Sequence, residues 1–143
     1  PPPLPAEVRM CPESQIAQLA QHLNDRQYRP ITDALAMPIP IYIGNATVIA
    51  RTPRDVWAFL QALQAMIQTS GFRRVKPKVV SVEIPRRDRF RTWVDWSGEG
   101  ATRKRVLFRT VCYNSGTFSA HKTEMVRFEE MDWPLLTRMM RAA

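Results

Sequence analysis

The sequence predicts an α+β domain in which three N-terminal helices pack on a curved antiparallel β-sheet. Three observations carry this. Apolar residues recur at helical spacing over 13–35 and 53–69, the spacing becomes two from Phe72 onward, and the links between the later apolar runs are hairpin-sized. Helices gathered ahead of a run of strands give segregated layers rather than alternating βαβ units.

The chain opens PPPLP, which favours an extended segment with little to bury. Residues 1–11 are therefore expected as a Pro-rich arm ahead of one domain spanning 12–143. Pro12, Glu13 and Ser14 make an acidic helix start, and Ile16, Leu19, Ala20 and Leu23 follow on one stripe. Asn24 and Asp25 break that helix. Tyr28, Ile31, Ala34 and Leu35 suggest a second, shorter one, stopped by Pro38 and Pro40. Ile39, Ile41 and Ile43 then alternate up to Gly44 and Asn45, with Thr47, Val48 and Ile49 beyond, a hairpin on a two-residue turn. The third helix has the strongest signals: Thr52 as N-cap, Pro53 at the first helical position, Asp55 in the first turn and Gly71 as the stop. Its stripe of Val56, Leu60, Leu63 and Ile67 is widened by Trp57, Phe59 and Met66, so it presses against something large.

Four strands are expected, at about 74–84, 90–97, 103–113 and 120–130, joined by Pro85–Arg89, Gly98–Thr102 and Ser115–Phe118. Pairing like with like sets a register. Ile84 opposite Phe90 puts Val82 across from Thr92 and Val80 across from Val94. Trp96 opposite Lys104 puts Val94 across from Val106 and Thr92 across from Phe108. Asn114 opposite Ser119 puts Cys112 across from His121, Thr110 across from Thr123 and Phe108 across from Met125. One face then carries these apolar residues and threonines together with His121. The other carries Glu83 across from Arg91, Asp95 across from Arg105 and Arg109 across from Glu124, opposite-sign pairs that suit a solvated or partner-facing surface.

Composition narrows the classes. Hydrophobic residues make up 45% and charged residues 24% of the 143 positions, which excludes a disordered or fibrous chain. No apolar run approaches the roughly 20 residues that cross a bilayer, so the expectation is a soluble, cytoplasmic protein with no membrane partner. Cys11 and Cys112 are too few for a disulfide framework or, alone, a tetrahedral zinc site, and no metal or cofactor is expected.

The order of elements, the PRDVWAFL opening of the long helix and a last strand reading HKTEMVRFEE resemble the NTF2-like, or cystatin-like cone, superfamily and its SnoaL-like branch. The likeness covers about residues 13–130. It implies a cone whose wide end admits a small apolar molecule between the helices and the concave sheet, and a homodimer through the outer sheet face. The branch holds isomerases, dehydratases, epoxide hydrolases, polyketide cyclases and binding modules without catalysis, so fold alone leaves the activity open.

His121 is the only histidine on the expected inner face, beside Thr110, Cys112 and Thr123, where it could move a proton near neutral pH. The plain alternative is a histidine near a loop, packed on Cys112. His22 could reach the same cavity from the first helix or sit on its surface. Tyr28, Tyr42, Trp57 and Trp96 are expected to line the mouth, and Phe108, Thr110, Cys112, Thr123 and Met125 complete the ligand pocket. In an enzyme, His121 would be the acid or base, with Tyr42, Thr110 and Thr123 orienting the substrate. Carboxylates are the gap. Ketosteroid-isomerase-like relatives use an acidic base with acidic and phenolic donors, and epoxide-hydrolase-like relatives use Asp, Arg and Asp. Here the expected inner face has no Asp or Glu; Asp25 and Asp33 are the nearest acids, and Arg127 would have to turn inward at the sheet edge. Cys112 has no charge run beside it to lower its pKa and reads as inert.

The rival reading rests on charge. Lys plus Arg is 21 against 13 Asp plus Glu, a net charge of +8. RRVKPK at 73–78, RRDRFR at 86–91 and RKR at 103–105 could hold nucleic-acid phosphates or an acidic protein partner. These runs are expected at opposite ends of the meander, and two separated rims suit phosphate binding less than one stripe.

Overall fold

The computed structural model describes residues 11–100 and 105–142. The expected arm, apart from Cys11, and the start of the third expected strand with Arg103 and Lys104 lie outside those residues. Helices α1 (Pro12–Asn24) and α2 (Tyr28–Asp33) lead into the hairpin β1 (Ile39–Ile43) and β2 (Ala46–Ala50). The long helix α3 (Pro53–Thr69) follows, then strands β3 (Arg74–Arg86), β4 (Arg89–Glu99), β5 (Arg105–Gly116) and β6 (His121–Glu129), and finally α4 (Trp133–Ala142).

The six strands form one sheet in the order β2-β1-β6-β5-β4-β3. Every neighbour is antiparallel except β1 and β6, which run parallel with Ile41 opposite Val126 and Ile43 opposite Phe128. That parallel pair joins the small hairpin to the meander, and it corrects the purely antiparallel expectation. The fourth helix is a second addition, since sequence reading stopped at three. Leu135 and Leu136 are its buried anchors, and α4 lies along α3.

Local chemistry sets the helix ends. The Thr52 hydroxyl accepts from the Asp55 backbone N–H at 3.3 Å while the Asp55 carboxylate accepts from the backbone of Thr52 at 3.2 Å and of Arg51 at 2.9 Å, a closed capping box. Val56, Phe59, Leu60, Leu63, Met66 and Ile67 are buried on the inner side of α3. Phe59 meets Phe128 at 5.5 Å between ring centroids, and Phe128 meets Phe108 at the same distance, so the long helix seats on the inner face of β5 and β6. α1 is tied to β3 by Asn24, which donates to the Val75 carbonyl at 2.9 Å and accepts from its N–H at 3.0 Å.

The expected register holds at two adjacent pairs, Val82 opposite Thr92 and Glu83 opposite Arg91, and slips elsewhere. A shift between Val79 and Ser81 places Val79, not Val80, opposite Val94. Val80 and Ile84, expected inside, stand 53% and 62% exposed. On β4 and β5 the pairing is displaced by four residues, with Trp96 opposite Phe108 and Thr92 opposite Cys112. An even displacement keeps both faces. Val106 alone is lost, exposed beyond a shift at Trp96 and Ser97. On β5 and β6 the displacement is odd over 125–129. Met125 therefore lies opposite Tyr113 on the outer face, while Val126 and Phe128 turn inward opposite Cys112 and Thr110. A further shift between Tyr113 and Asn114 returns Thr123 to the inner side, opposite Asn114.

The outer face carries opposite-sign pairs, with partners partly exchanged. Glu83 faces Arg91 at 3.7 Å as expected, but Asp95 takes Arg109 instead of Arg105, and Glu124 takes Arg89 at 2.8 Å instead of Arg109.

Candidate functional site

A cavity of about 490 Å³ lies between α1, α2 and α3 on one side and the inner face of β4, β5 and β6 on the other. Its floor is apolar and buried: Ile39, Ile41, Val56, Phe59, Leu63 and Phe108. Towards the mouth the lining becomes polar, with Gln15 and His22 of α1 and His121 part-exposed and Gln18 and Ser119 exposed. Among the described residues the lining holds no Asp, Glu, Lys or Arg.

One wall is a polar rail fixed by its own hydrogen bonds. The Trp96 indole N–H donates to the Thr110 hydroxyl at 2.9 Å. Asn114 donates to the Thr92 hydroxyl at 3.3 Å and accepts from the Thr123 hydroxyl at 2.7 Å. These strand residues are polar where an apolar sheet would carry valine, and each is paired, so burial leaves no orphan among them.

His121 closes the rail at the mouth. Its ring sits edge-on to Phe90 at 4.9 Å and 78°, and Nδ1 lies 3.1 Å from the Thr117 carbonyl and 3.2 Å from that of Phe118. Both neighbours are acceptors, so Nδ1 carries the proton and Nε2 keeps its lone pair. His22, two α-helical turns beyond Gln15 on the same stripe, lines the same cavity, with Nδ1 at 3.1 Å from the Gln27 side-chain oxygen. The chain's two histidines thus face one chamber. Cys112 also lines it, and the protein packed around its sulfur pushes the thiol up to about 12, although part of the residue remains open to the cavity.

Of the expected pocket residues, Trp96, Phe108, Thr110, Cys112, Thr123 and His121 come together here. Four do not. Tyr28 turns its hydroxyl away to donate to Gln64, and burial raises its pKa. Trp57 is 39% exposed and donates to the Thr32 hydroxyl at 2.9 Å. Met125 is outside because the odd register turns it over. Tyr42 lies between two inward isoleucines and so faces the other way, in a separate cleft of about 520 Å³ beside the β1–β2 turn; Arg127, its strand partner, is there too. Asp25 and Asp33 are exposed and outside the lining. Asn114, Thr92 and Gln15 were missed, although Thr92 stood on the expected inner face. The alternation of β4 and β5 would have flagged Asn114 as an inward polar residue.

The basic runs stay apart. Arg86, Arg87 and Arg89 sit at the tip joining β3 to β4, while Arg73, Arg74 and Lys76 sit at its far end. A strand of 13 residues spans roughly 40 Å, so the two groups form separate rims. Among the described residues no group of three or more His, Cys, Asp or Glu could hold a metal ion, and no helix is long and apolar enough to cross a membrane.

Comparison with solved structures agrees with this architecture. Aln2 from a Streptomyces species superposes with a TM-score of 0.62 at 10% identity, covering 94% of this chain and 97% of that one. A ketosteroid isomerase-like protein from Erwinia carotovora atroseptica gives 0.57 at 10% identity over 87% and 96%. A domain of unknown function with a cystatin-like fold from Nostoc punctiforme gives 0.57 at 13% over 82% and 76%. No protein-family model matches the sequence, and no curated protein matches it. The chain has the NTF2-like, or cystatin-like, cone fold.

Proposed function

We propose that this chain is a SnoaL-like small-molecule-binding protein that holds one mostly apolar organic molecule in its cone, with proton-transfer or hydration chemistry at His121 as its enzymatic form. The observation that carries this is the uncharged cavity with an apolar floor and a hydrogen-bonded polar wall. Its volume falls in the range of roughly 300–1,000 Å³ that holds drug-sized ligands. His121 supports the chemical half of the reading: with Nδ1–H held by two carbonyls, Nε2 is left as the ring's acceptor at the mouth. The register sets His121 opposite Gly116 and not opposite Cys112 as expected, so Thr123 and, further along the same cavity wall, Thr110 are the hydroxyls that would orient a substrate. Tyr42, on the other side of the sheet, drops out of that role.

Binding of Nile red tests the chamber. One dye per chain with blue-shifted emission is expected, and Leu63→Trp, which fills the floor, should abolish it. Dye bound equally well by the filled variant would overturn the chamber. For catalysis, His121→Ala should abolish any turnover found while leaving the circular dichroism unchanged; full retention ends the assignment.

The same reading pairs two copies through the outer sheet face. Its support is Val106, exposed on β5 opposite Ser97. A monomer in analytical ultracentrifugation at micromolar concentration would end that part of it.

A further inference from the structure

We infer that the ionisation of His22 and His121 selects the occupant of the cavity: an uncharged molecule when both imidazoles are neutral, an organic anion once they are protonated. This rests on the proposed chamber and says what controls it. The chain has two histidines, on elements far apart in sequence, and both line the one cavity whose other lining residues carry no charge near neutral pH. Histidine is the side chain that ordinarily changes charge between about pH 5 and 8. Among the described residues the chamber holds no other titrating acid or base in that interval, so its charge there comes from these two rings.

Surrounding charges are placed so as not to mask this. On α1 it is Glu13, with Asp25 and Arg26 just past its end; on α2, Arg29 and Asp33; on α3, Arg54 and Asp55; on β3, Arg74, Lys76, Lys78, Glu83 and Arg86, with Asp88 at its tip. β4 contributes Arg89 and Arg91, β5 Arg105 and Arg109, and β6 Lys122 and Glu124. None of them belongs to the cavity lining. Several are already engaged: Arg89 with Glu124, Arg91 with Glu83, Arg109 with Asp95, and Lys122 with the Asp33 backbone carbonyl. Both histidines are part-exposed at the mouth, so water solvates their charged form while the chamber is open. An apolar ligand that seats against them removes that water and disfavours the charged form. Its binding therefore lowers both imidazole pKa values. By linkage the ligand is held above the free imidazole pKa and released as pH falls through it. An anion gains from the same protonation and follows the opposite course.

Two probes of opposite kind read this: Nile red, which is neutral, and 1-anilinonaphthalene-8-sulfonate, whose sulfonate stays ionised throughout. Between about pH 8 and pH 5, Nile red affinity should fall about tenfold for each histidine whose pKa the dye lowers by one unit, while the sulfonate binds more tightly. His22→Gln and His121→Gln should each remove part of both trends, and the double variant should bind both probes independently of pH. Nuclear magnetic resonance titration of the two rings in the unaltered protein, with and without Nile red, covers the case in which the double variant does not fold. Both ring pKa values should drop with dye bound. Nile red binding that is strong and flat across this range would overturn the inference and leave the chamber standing. Failure of Nile red to bind even at about pH 8 would overturn both.

Discussion

Thr123 donates its hydroxyl to the Asn114 side-chain oxygen at 2.7 Å, and both residues are buried. Because Asn114 also donates to Thr92 at 3.3 Å, a single amide ties β4, β5 and β6 together inside the cavity wall. Truncating it strands two hydroxyls, and a buried polar group without a partner costs about 1–3 kcal/mol. Asn114→Ala should lower stability by about that amount, read as a reduced urea midpoint with an unchanged slope. A variant as stable as the parent would show that the rail serves ligand binding and not the fold.

Gly98 in β4 is a strand position where the backbone needs a hydrogen in place of a side chain. A Cβ added there would collide with the ring carbons of Phe72, which is itself 7% exposed and packed in the core. The ring has no free space to retreat into, so Gly98→Ala should cost about 1–3 kcal/mol through overpacking. Phe72→Leu in the same chain should recover part of the loss in thermal unfolding, because it removes the colliding ring. An additive double variant would place the strain elsewhere.

How far the site was legible depended on how far each residue's partner lay along the chain. α3 was readable end to end, since Thr52, Pro53, Asp55 and the Val56–Ile67 stripe are neighbours in sequence. The inner face of β4 was readable too, because Phe90, Thr92, Val94 and Trp96 alternate and a four-residue slip leaves the alternation intact. β6 was not. Placing Met125 or Val126 inside satisfies like-with-like pairing against β5 almost equally well. What decides between them is Ile41, 85 positions before Val126, which takes Val126 as its parallel partner and brings Phe128 against Ile43. Tyr42 failed for the related reason that alternation around Ile41 and Ile43 was read for the hairpin but not carried to the cavity.

Acid should weaken the start of α3 in a way one carboxylate accounts for. Hydrogen bonds from the Arg51 backbone, then from Thr52, hold the Asp55 carboxyl below its ordinary pKa. A group depressed in the folded state lends stability that is present above its unfolded value, near 3.9, and is lost as pH falls through the folded value. The urea midpoint should therefore drop below about pH 4 more steeply in the parent than in Asp55→Asn, which has no carboxylate to protonate. Thr52→Ala, which removes the other half of the box, should cost about 1 kcal/mol at neutral pH. Equal acid slopes in parent and Asp55→Asn would deny the capping box any pH dependence.

The two thiols should respond differently to alkylation although neither is bonded to the other. Cys11 is exposed at the start of α1, with Sγ 3.3 Å from the Ser14 hydroxyl. Cys112 borders the cavity, so a small reagent can approach it, but reaction requires the thiolate and burial holds its pKa at about 12. At about pH 8 nearly all of Cys112 is then the unreactive thiol. Native protein treated with iodoacetamide at that pH should gain one adduct by intact mass, located at Cys11 by peptide mapping, and a second only after urea unfolds the sheet. Raising the pH with the fold intact should bring Cys112 into reaction, because the cavity already gives the reagent a path. Rapid double alkylation of native protein at about pH 8 would mean that the thiol is not held protonated by its surroundings. Occupying the chamber with Nile red gives the complementary check: protection of Cys112 at high pH, with Cys11 unaffected, would locate the dye against β5.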